Sequence, residues 1–294
     1  MCGMGKSLLN KNSAQNRICA VVVWYHPTKK IASNISSYIN NVEHVYVIDN
    51  SEDKSNHRLV SAYEPSKLTY VWLKRNYGLG YALNKGIRLS IEDNYHWAMT
   101  LDQDSACSGN MVDTYKTFIN DHQALRVICL SPRYQTDRSS LRPVKDQYCR
   151  VALPMQSGCL FQLKLLKQVG DFREEFFIDV IDYDFFCRAH HLKMQIIQCQ
   201  EAILFHEPAT TKISKLVGLF PIAYGVAPPW RYYYQVRNLL RVAIEQKSVK
   251  MLLIVIYKYF KVVLFFDHKS QYLQFMTLGI KDALKNNLGE LVHE

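Results

Sequence analysis

His96-Trp-Ala-Met-Thr-Leu101-Asp102-Gln-Asp104-Ser105 decides the fold: an apolar run that reads as a buried strand stops, and two carboxylates appear one residue apart. In extended backbone, residues i and i+2 project from the same face, so Asp102 and Asp104 offer paired hard oxygens at the carboxyl end of a strand. Such a pair suits a divalent cation with a phosphate attached, because Mg²⁺ is usually held by one or two carboxylates plus substrate oxygens. The same residues also suit a loop that caps a helix beginning near Ser108, since Asp and Ser favour that position. What lies on either side separates the two.

Upstream, the pattern strand, helix, strand repeats. Ile18 to Tyr25 (ICAVVVWY) is a continuous β-branched run, as in a strand buried on both faces, and Pro27 punctuates it. Ile31, Ile35, Tyr38, Ile39 and Val42 follow at helical spacing, and His44 to Ile48 is a second apolar run ending in Asp49-Asn50-Ser51. A polar helix to about Tyr63 leads to a third strand, Leu68 to Leu73, and Asn76-Tyr-Gly78-Leu-Gly80 opens a helix with Leu83, Ile87 and Ile91 on one face. Strands alternating with helices imply an α/β fold whose mostly parallel, Rossmann-like sheet collects ligands at the strands' carboxyl ends. Those ends carry Tyr25-His26-Pro27, Asp49-Asn50-Ser51, Lys74-Arg75-Asn76 and Asp102-Gln103-Asp104. On this rim Asp49 suits a base or ribose, Lys74 or Arg75 and the amides of the glycine turn suit a diphosphate, and the paired aspartates suit a metal. Taken singly, Asp49 to Ser51 and Gly78 to Gly80 are also ordinary turns.

Downstream, Met111 to Ile119 reads as helix, Val127 to Leu130 as a short strand and Arg133 to Arg150 as a polar loop. Ser157-Gly158 precedes another apolar run, and the helix Leu163 to Val169 stops at Gly170. A second acid cluster follows in Phe177-Ile-Asp179-Val-Ile-Asp182-Tyr-Asp184-Phe-Phe-Cys-Arg188. Burial among large apolar residues raises carboxylate pKa values and suits one of these acids to take a proton. Acids at a helix start also complement its dipole. Met194 to Phe205 is strand-like and ends at His206, a candidate metal or phosphate ligand.

Composition narrows the class. The 36 Lys and Arg against 26 Asp and Glu leave a net +10, which fits nucleic acid, an anionic membrane or a phosphorylated substrate. No basic, aromatic-interleaved motif for RNA or DNA is present, so nucleic acid is not an expected partner. The eight cysteines are scattered without a Cys-x-x-Cys pair, which points away from zinc and disulfides and towards a reducing cytoplasm. Residues 1–16 read as a disordered leader, without the apolar core of a secretory signal.

Over about residues 17–240 these motifs resemble glycosyltransferase family 2, the inverting GT-A enzymes. The likeness is carried by Val21 to Pro27, Asp49-Asn-Ser51, Asn76-Tyr-Gly78 with Ala82 to Gly86, Leu101 to Asp104, Ser157 to Leu160, Gly170-Asp-Phe172, Phe177 to Arg188 and His206. The phrase around Asp179 to Asp184, followed by Arg231-Tyr-Tyr-Tyr-Gln-Val-Arg237-Asn238, is most similar to the rhamnosyltransferase branch that uses TDP-rhamnose. The resemblance implies a GT-A catalytic domain over residues 17–228 with a helical extension over 229–294. It implies donor contacts at Tyr25, His26, Asp49, Arg75, Asn76, Gly78, Asp102 and Gln103, and Mg²⁺ or Mn²⁺ on Asp104 with Asp102 and His206. Asp182 aligns with the base, Asp179 and Asp184 are its rivals, and Ser157, Gly158 and Arg231 fall on the acceptor side. The partners implied are a nucleotide-sugar donor and a glycan or lipid-linked oligosaccharide acceptor.

From Trp230 onwards the chain reads as helices. Lys247, Lys250, Lys258 and Lys261 project within a narrow arc, with apolar residues over much of the rest. That pattern is expected either to lie in the headgroups of an anionic bilayer, making the protein peripheral on the inner face of the cell membrane, or to pack its apolar face on the catalytic domain.

Overall fold

The computed structural model describes residues 16–122, 125–137, 141–207, 211–216 and 220–291. The expected leader at 1–16 therefore lies, apart from Asn16, outside the described residues. The apolar runs become β1 (Ile18–Trp24), β2 (His44–Asp49), β3 (Leu68–Trp72) and β4 (Trp97–Asp102), all mutually parallel in the order β3-β2-β1-β4. Between them lie α1 (Lys29–Ser33), two short 3-10 turns and α2 (Leu79–Glu92). The polar stretch after β2 that reads as an α-helix forms only the 3-10 turn Lys54–Leu59, which buries none of its side chains. A short helix with no apolar face has no tertiary packing to extend it.

Beyond β4 the sheet becomes mixed. β5 (Ser105–Cys107), α3 (Met111–Asp121), β6 (Val127–Gln135), β7 (Tyr148–Arg150), β8 (Leu160–Gln162), α4 (Leu163–Val169), α5 (Ile181–His191) and β9 (Gln195–His206) follow. β8 inserts antiparallel between β4 and β6, and β9 runs parallel to β6 and antiparallel to β5 and β7. The stretch read as a polar loop from Arg133 to Arg150 thus supplies the end of β6 and all of β7.

Period-two burial divides the core. Ile18, Ala20, Val22 and Trp24 of β1 face α3 and the turn around Tyr38, while Cys19, Val21 and Val23 face α2, α4 and α5. Helix α2 lies so close to β1 that a Cβ on Gly86 would stand 2.2 Å from Val21 Cγ1.

The hairpin β10 (Thr211–Leu216) and β11 (Phe220–Gly225) leads to α6 (Pro229–Glu245), α7 (Val249–Phe265) and α8 (Lys269–Lys285). Tyr232, Val236, Leu239, Met251, Val255, Val262, Phe266 and Met276 join the same apolar core as α2 and α5, so these helices share one interior with the sheet. Among the described residues no helix is long and apolar enough to cross a membrane. The lysine arc divides: Lys247 and Lys250 are exposed, whereas Lys258 Nζ donates to Gln235 Oε1 at 2.7 Å and Lys261 Nζ to the Gly225 carbonyl at 2.7 Å. Long alkyl stems let lysines lie along an apolar contact while their heads find acceptors at its edge.

Candidate active site

Strand register assembles the rim. Trp24 pairs with Asp49 on one side of β1 and Val23 with Asp102 on the other, which fixes both carboxylates at one end of the sheet. The β5/β9 ladder pairs Ser105 with His206 and so carries the histidine across about a hundred residues of sequence to Asp104.

On the β2 side, Asp49 is fully buried and accepts hydrogen bonds from Ser51 N at 3.0 Å, Asn56 Nδ2 at 2.9 Å and the Tyr70 hydroxyl at 2.5 Å. Asn50 donates to Asn76 Oδ1 at 2.8 Å and accepts from Tyr77 N at 2.8 Å. Gly78 N donates to Asn76 Oδ1 at 2.9 Å, and Leu79 N to the Phe177 carbonyl at 2.6 Å. The amides of Tyr77, Gly78 and Leu79 are therefore spent on the protein, which corrects for these three the expectation that the turn's amides stand free for a diphosphate. Gly78 has φ 86°, and a Cβ there would sit 2.6 Å from the Phe177 carbonyl, so the glycine admits close backbone approach. Gln103 is pinned as well, accepting from Tyr25 N at 2.8 Å and donating to the Tyr25 carbonyl at 3.0 Å. His26 (φ 47°) pairs with Glu52 at 3.1 Å, and the exposed Arg75 guanidinium lies 4.2 Å from the Tyr77 ring centre.

Asp102, Asp104 and His206 each present a ligand atom, all within 4.8 Å of one another. Gln156 Nε2 donates to Asp102 Oδ1 at 2.5 Å, and Asp102 N donates to the Ser157 hydroxyl at 2.9 Å. The Ser105 hydroxyl stands between His206 Nδ1 (3.0 Å) and Ser157 Oγ (2.9 Å), which orients the imidazole. Asp104 Oδ1 is buried and accepts no hydrogen bond, lying 3.4 Å from His206 Nδ1. Burial and the charge of Asp104 push the Asp102 carboxyl up to about 6, and Asp104 is raised too, chiefly by burial. Two crowded carboxylates with an orphaned oxygen and an imidazole fit a divalent cation, whose charge would reverse both effects.

The second cluster divides into three fates. Asp184 is fully buried and ion-paired with Arg188 (2.9 Å) and Arg173 (3.0 Å), a structural position that removes it as a rival base. Asp179 receives both Nε (3.0 Å) and Nη2 (2.6 Å) of Arg231, a bidentate pair that ties it to the guanidinium. Among the described residues Asp182 has no cationic partner. Burial pushes its carboxyl up to about 7, with the charges of Asp102 and Asp179 adding to the effect, so the two acid clusters lie within electrostatic reach of each other.

The backbone here is strained: Phe177, Asp179 and Val180 have φ of 63°, 64° and 67°, a left-handed conformation that is rare for a β-branched residue. Asn238 Nδ2 holds the run by donating to the carbonyls of Phe176, Ile178 and Asp179 at 3.0, 2.9 and 3.0 Å, and Arg237 Nη2 reaches those of Glu175 and Phe176. In the sequence Arg237-Asn238 stands only as part of a motif, Lys258 only as one of a lysine arc, and Gln156 carries no role. Gln156 could have been found as the polar neighbour of Ser157, whereas nothing in a helical lysine arc marks Lys258 as the half-buried donor to Gln235. Ser157 is fully buried under Asp102, and Gly158 (φ 79°) packs against Pro132 and Leu204, so both support the metal group and neither faces an acceptor. On the far side of Asp104 and His206 a cleft of about 750 Å³ is lined by Lys30, Asn34, Gln135, Phe205 and Glu207, among others.

Comparison with known proteins gives the following. A family model described as glycosyl transferase family 2 matches residues 20–185, more than half of the chain. A dTDP-rhamnosyl transferase, RfbF of Shigella flexneri, is 24% identical over 243 residues, covering 76% of this chain and 78% of that protein. Among solved structures, residues 1–349 of S. aureus TarS in complex with UDP-GlcNAc superpose with a TM-score of 0.59 at 15% identity, covering 91% of this chain and 81% of that one. GalNAc-T7 with UDP, GalNAc and Mn²⁺ gives a TM-score of 0.58 at 11% identity, covering 93% of this chain and 58% of that one. At these identities the structural likeness establishes the GT-A fold.

Proposed function

The chain belongs to glycosyltransferase family 2 and is a nucleotide-sugar-dependent hexosyltransferase, and on that premise we propose that it transfers L-rhamnose from TDP-rhamnose, with inversion, to a hydroxyl of a lipid-linked or polysaccharide acceptor in bacterial surface glycan synthesis. The observation that carries this reading is the convergence of a cation-competent group, Asp102, Asp104 and His206, with the unpaired Asp182, whose carboxyl is held near 7. The likeness to a dTDP-rhamnosyl transferase supports the donor sugar.

In this mechanism Asp49, Asn50 and Asn76 frame the nucleotide end, with Tyr25, His26 and Arg75 at its exposed edge. Asp104, with Asp102 and His206, would hold Mg²⁺ or Mn²⁺, which when bound neutralises the leaving diphosphate. Asp182 accepts the proton of the attacking hydroxyl as its oxygen bonds to the anomeric carbon; the bond from that carbon to the diphosphate breaks, and TDP leaves. One in-line displacement inverts the centre. Arg231, tied to Asp179 and within the field of Asp102 and Asp104, adds positive potential where diphosphate charge develops.

The test is isothermal calorimetry with TDP, UDP, TDP-rhamnose, UDP-galactose and UDP-glucose, each with and without Mn²⁺, on the wild type and on Asp104→Ala. We expect TDP-rhamnose to bind most tightly and Asp104→Ala to lose the Mn²⁺-dependent part. Preference for a UDP-hexose would replace the donor, and unchanged Mn²⁺-dependent affinity in Asp104→Ala would remove the metal role.

A further inference from the structure

Helix α7 turns apolar side chains outward. Val249, Leu253, Tyr257 and Phe260 are 69%, 58%, 63% and 62% exposed, and Ile256 and Leu264 are exposed beside them. These residues recur at intervals of three and four along 17 residues, so they form one stripe about 25 Å long on a single helical face. The helix is already anchored from behind: Met251, Val255 and Val262 are buried in the core, and Lys258 and Lys261 donate inward. The outward stripe is therefore surplus to folding, and a continuous apolar surface of this kind marks an interaction site.

Its ends are basic. Lys247 and Lys250 precede and begin the helix, and His268 and Lys269 follow it, all four exposed. At the same end, Lys212 of the β10–β11 hairpin pairs with Asp267 at 2.8 Å and sets the exposed Ile213 alongside. Two copies of the chain packed about a twofold axis would bring the basic end of one helix against the basic end of the other, which like charges oppose. An anionic lipid surface is complementary to both ends and to the stripe between them. The helix does not qualify as a membrane span, so it would lie in the plane of the interface, apolar side down.

We propose that α7 seats the protein on an anionic bilayer through Leu253, Ile256, Tyr257 and Phe260, with Lys247, Lys250 and Lys269 against the headgroups. This reverses the orientation that the lysine arc alone implies, and it stands on the helix surface independently of the reaction proposed above. The test is flotation of the full chain with vesicles of phosphatidylcholine containing about 30% phosphatidylglycerol, beside vesicles of phosphatidylcholine alone. We expect binding to the anionic vesicles at least about fivefold stronger than to the neutral ones, and a loss of about tenfold or more for Leu253→Glu combined with Phe260→Glu. Both positions are exposed, so the unfolding temperature should not move. Tyr257→Trp should show a blue-shifted emission on the anionic vesicles that brominated acyl chains quench. Flotation unaffected by the double substitution would overturn the proposal. So would absence of vesicle binding together with a concentration-dependent dimer, seen by ultracentrifugation, that the double substitution makes monomeric.

Discussion

Asp182→Asn should abolish turnover and stabilise the protein at alkaline pH, because one buried charge underlies both. A carboxyl held at about 7 instead of its ordinary 3.8 binds its proton more tightly in the fold than in the unfolded chain. Below about pH 3 both states hold the proton and the position contributes little; from about pH 4 to 7 the unfolded chain gives up its proton while the folded one keeps it, so stability falls, and above 7 the loss is complete and constant. At about 1.4 kcal/mol per pH unit the ceiling is about 4 kcal/mol. Solvent reaches the edge of this half-buried group, so we expect about 1–2 kcal/mol, or roughly 2–6 °C of melting temperature, at pH 8.5 and about a quarter of that near pH 4.5. The assays are calorimetric melting of both forms at the two pH values, product formation, and TDP affinity. Transfer should fall about 10²–10⁴-fold, with TDP affinity within a few-fold of wild type. A melting difference equal at both pH values would refute the desolvated charge, and near-normal turnover would refute the base.

For the wild type, log kcat/KM should rise with pH through about 7 and then level, since the ionised form of Asp182 accepts the proton. The charges facing it are Asp102 and Asp179, the latter paired with Arg231, so Asp102→Asn should move this limb to lower pH; an unmoved limb contradicts the coupling. Asn238→Ala removes the donor to three carbonyls of the strained loop. It should cost about 2–4 kcal/mol in denaturant titration and lower kcat more than donor KM; a change in KM alone would show that the loop does not position Asp182. Gly86→Ala places a Cβ 2.2 Å from Val21 Cγ1 and should destabilise by about 1–3 kcal/mol, read from the same titration; a neutral result would mean that α2 stands further from β1.

The strands and the rim were legible because their information is local. Apolar runs name β1, β2 and β4, and parallel register then brings Asp49 and Asp102 to one end of the sheet. What sequence could not supply is pairing at long range. Nothing near Asp184 says that Arg173 will reach it, or that Ser157 ends beneath Asp102 with its hydroxyl turned from solvent. The glycine turn misled for a related reason: it resembles a phosphate cradle locally, but Asn50, Asn76 and the Phe177 carbonyl take the amides of Tyr77, Gly78 and Leu79. The α7 periodicity identified two faces, but which faced inward depended on acceptors at Gln235 and Gly225 that lie elsewhere in the chain.

The clamp of Arg237 and Asn238 on the loop before α5 bears on how the enzyme is made. The nucleotide end and both halves of the cation group lie within the first 206 residues and leave the ribosome first. The loop presenting Asp182 is fixed only when α6 arrives, and Arg237 is itself completed by the Gly289 carbonyl. On the mechanism proposed above, acceptor activation therefore waits on the C-terminal helices, after the sheet and the cation group have been synthesised.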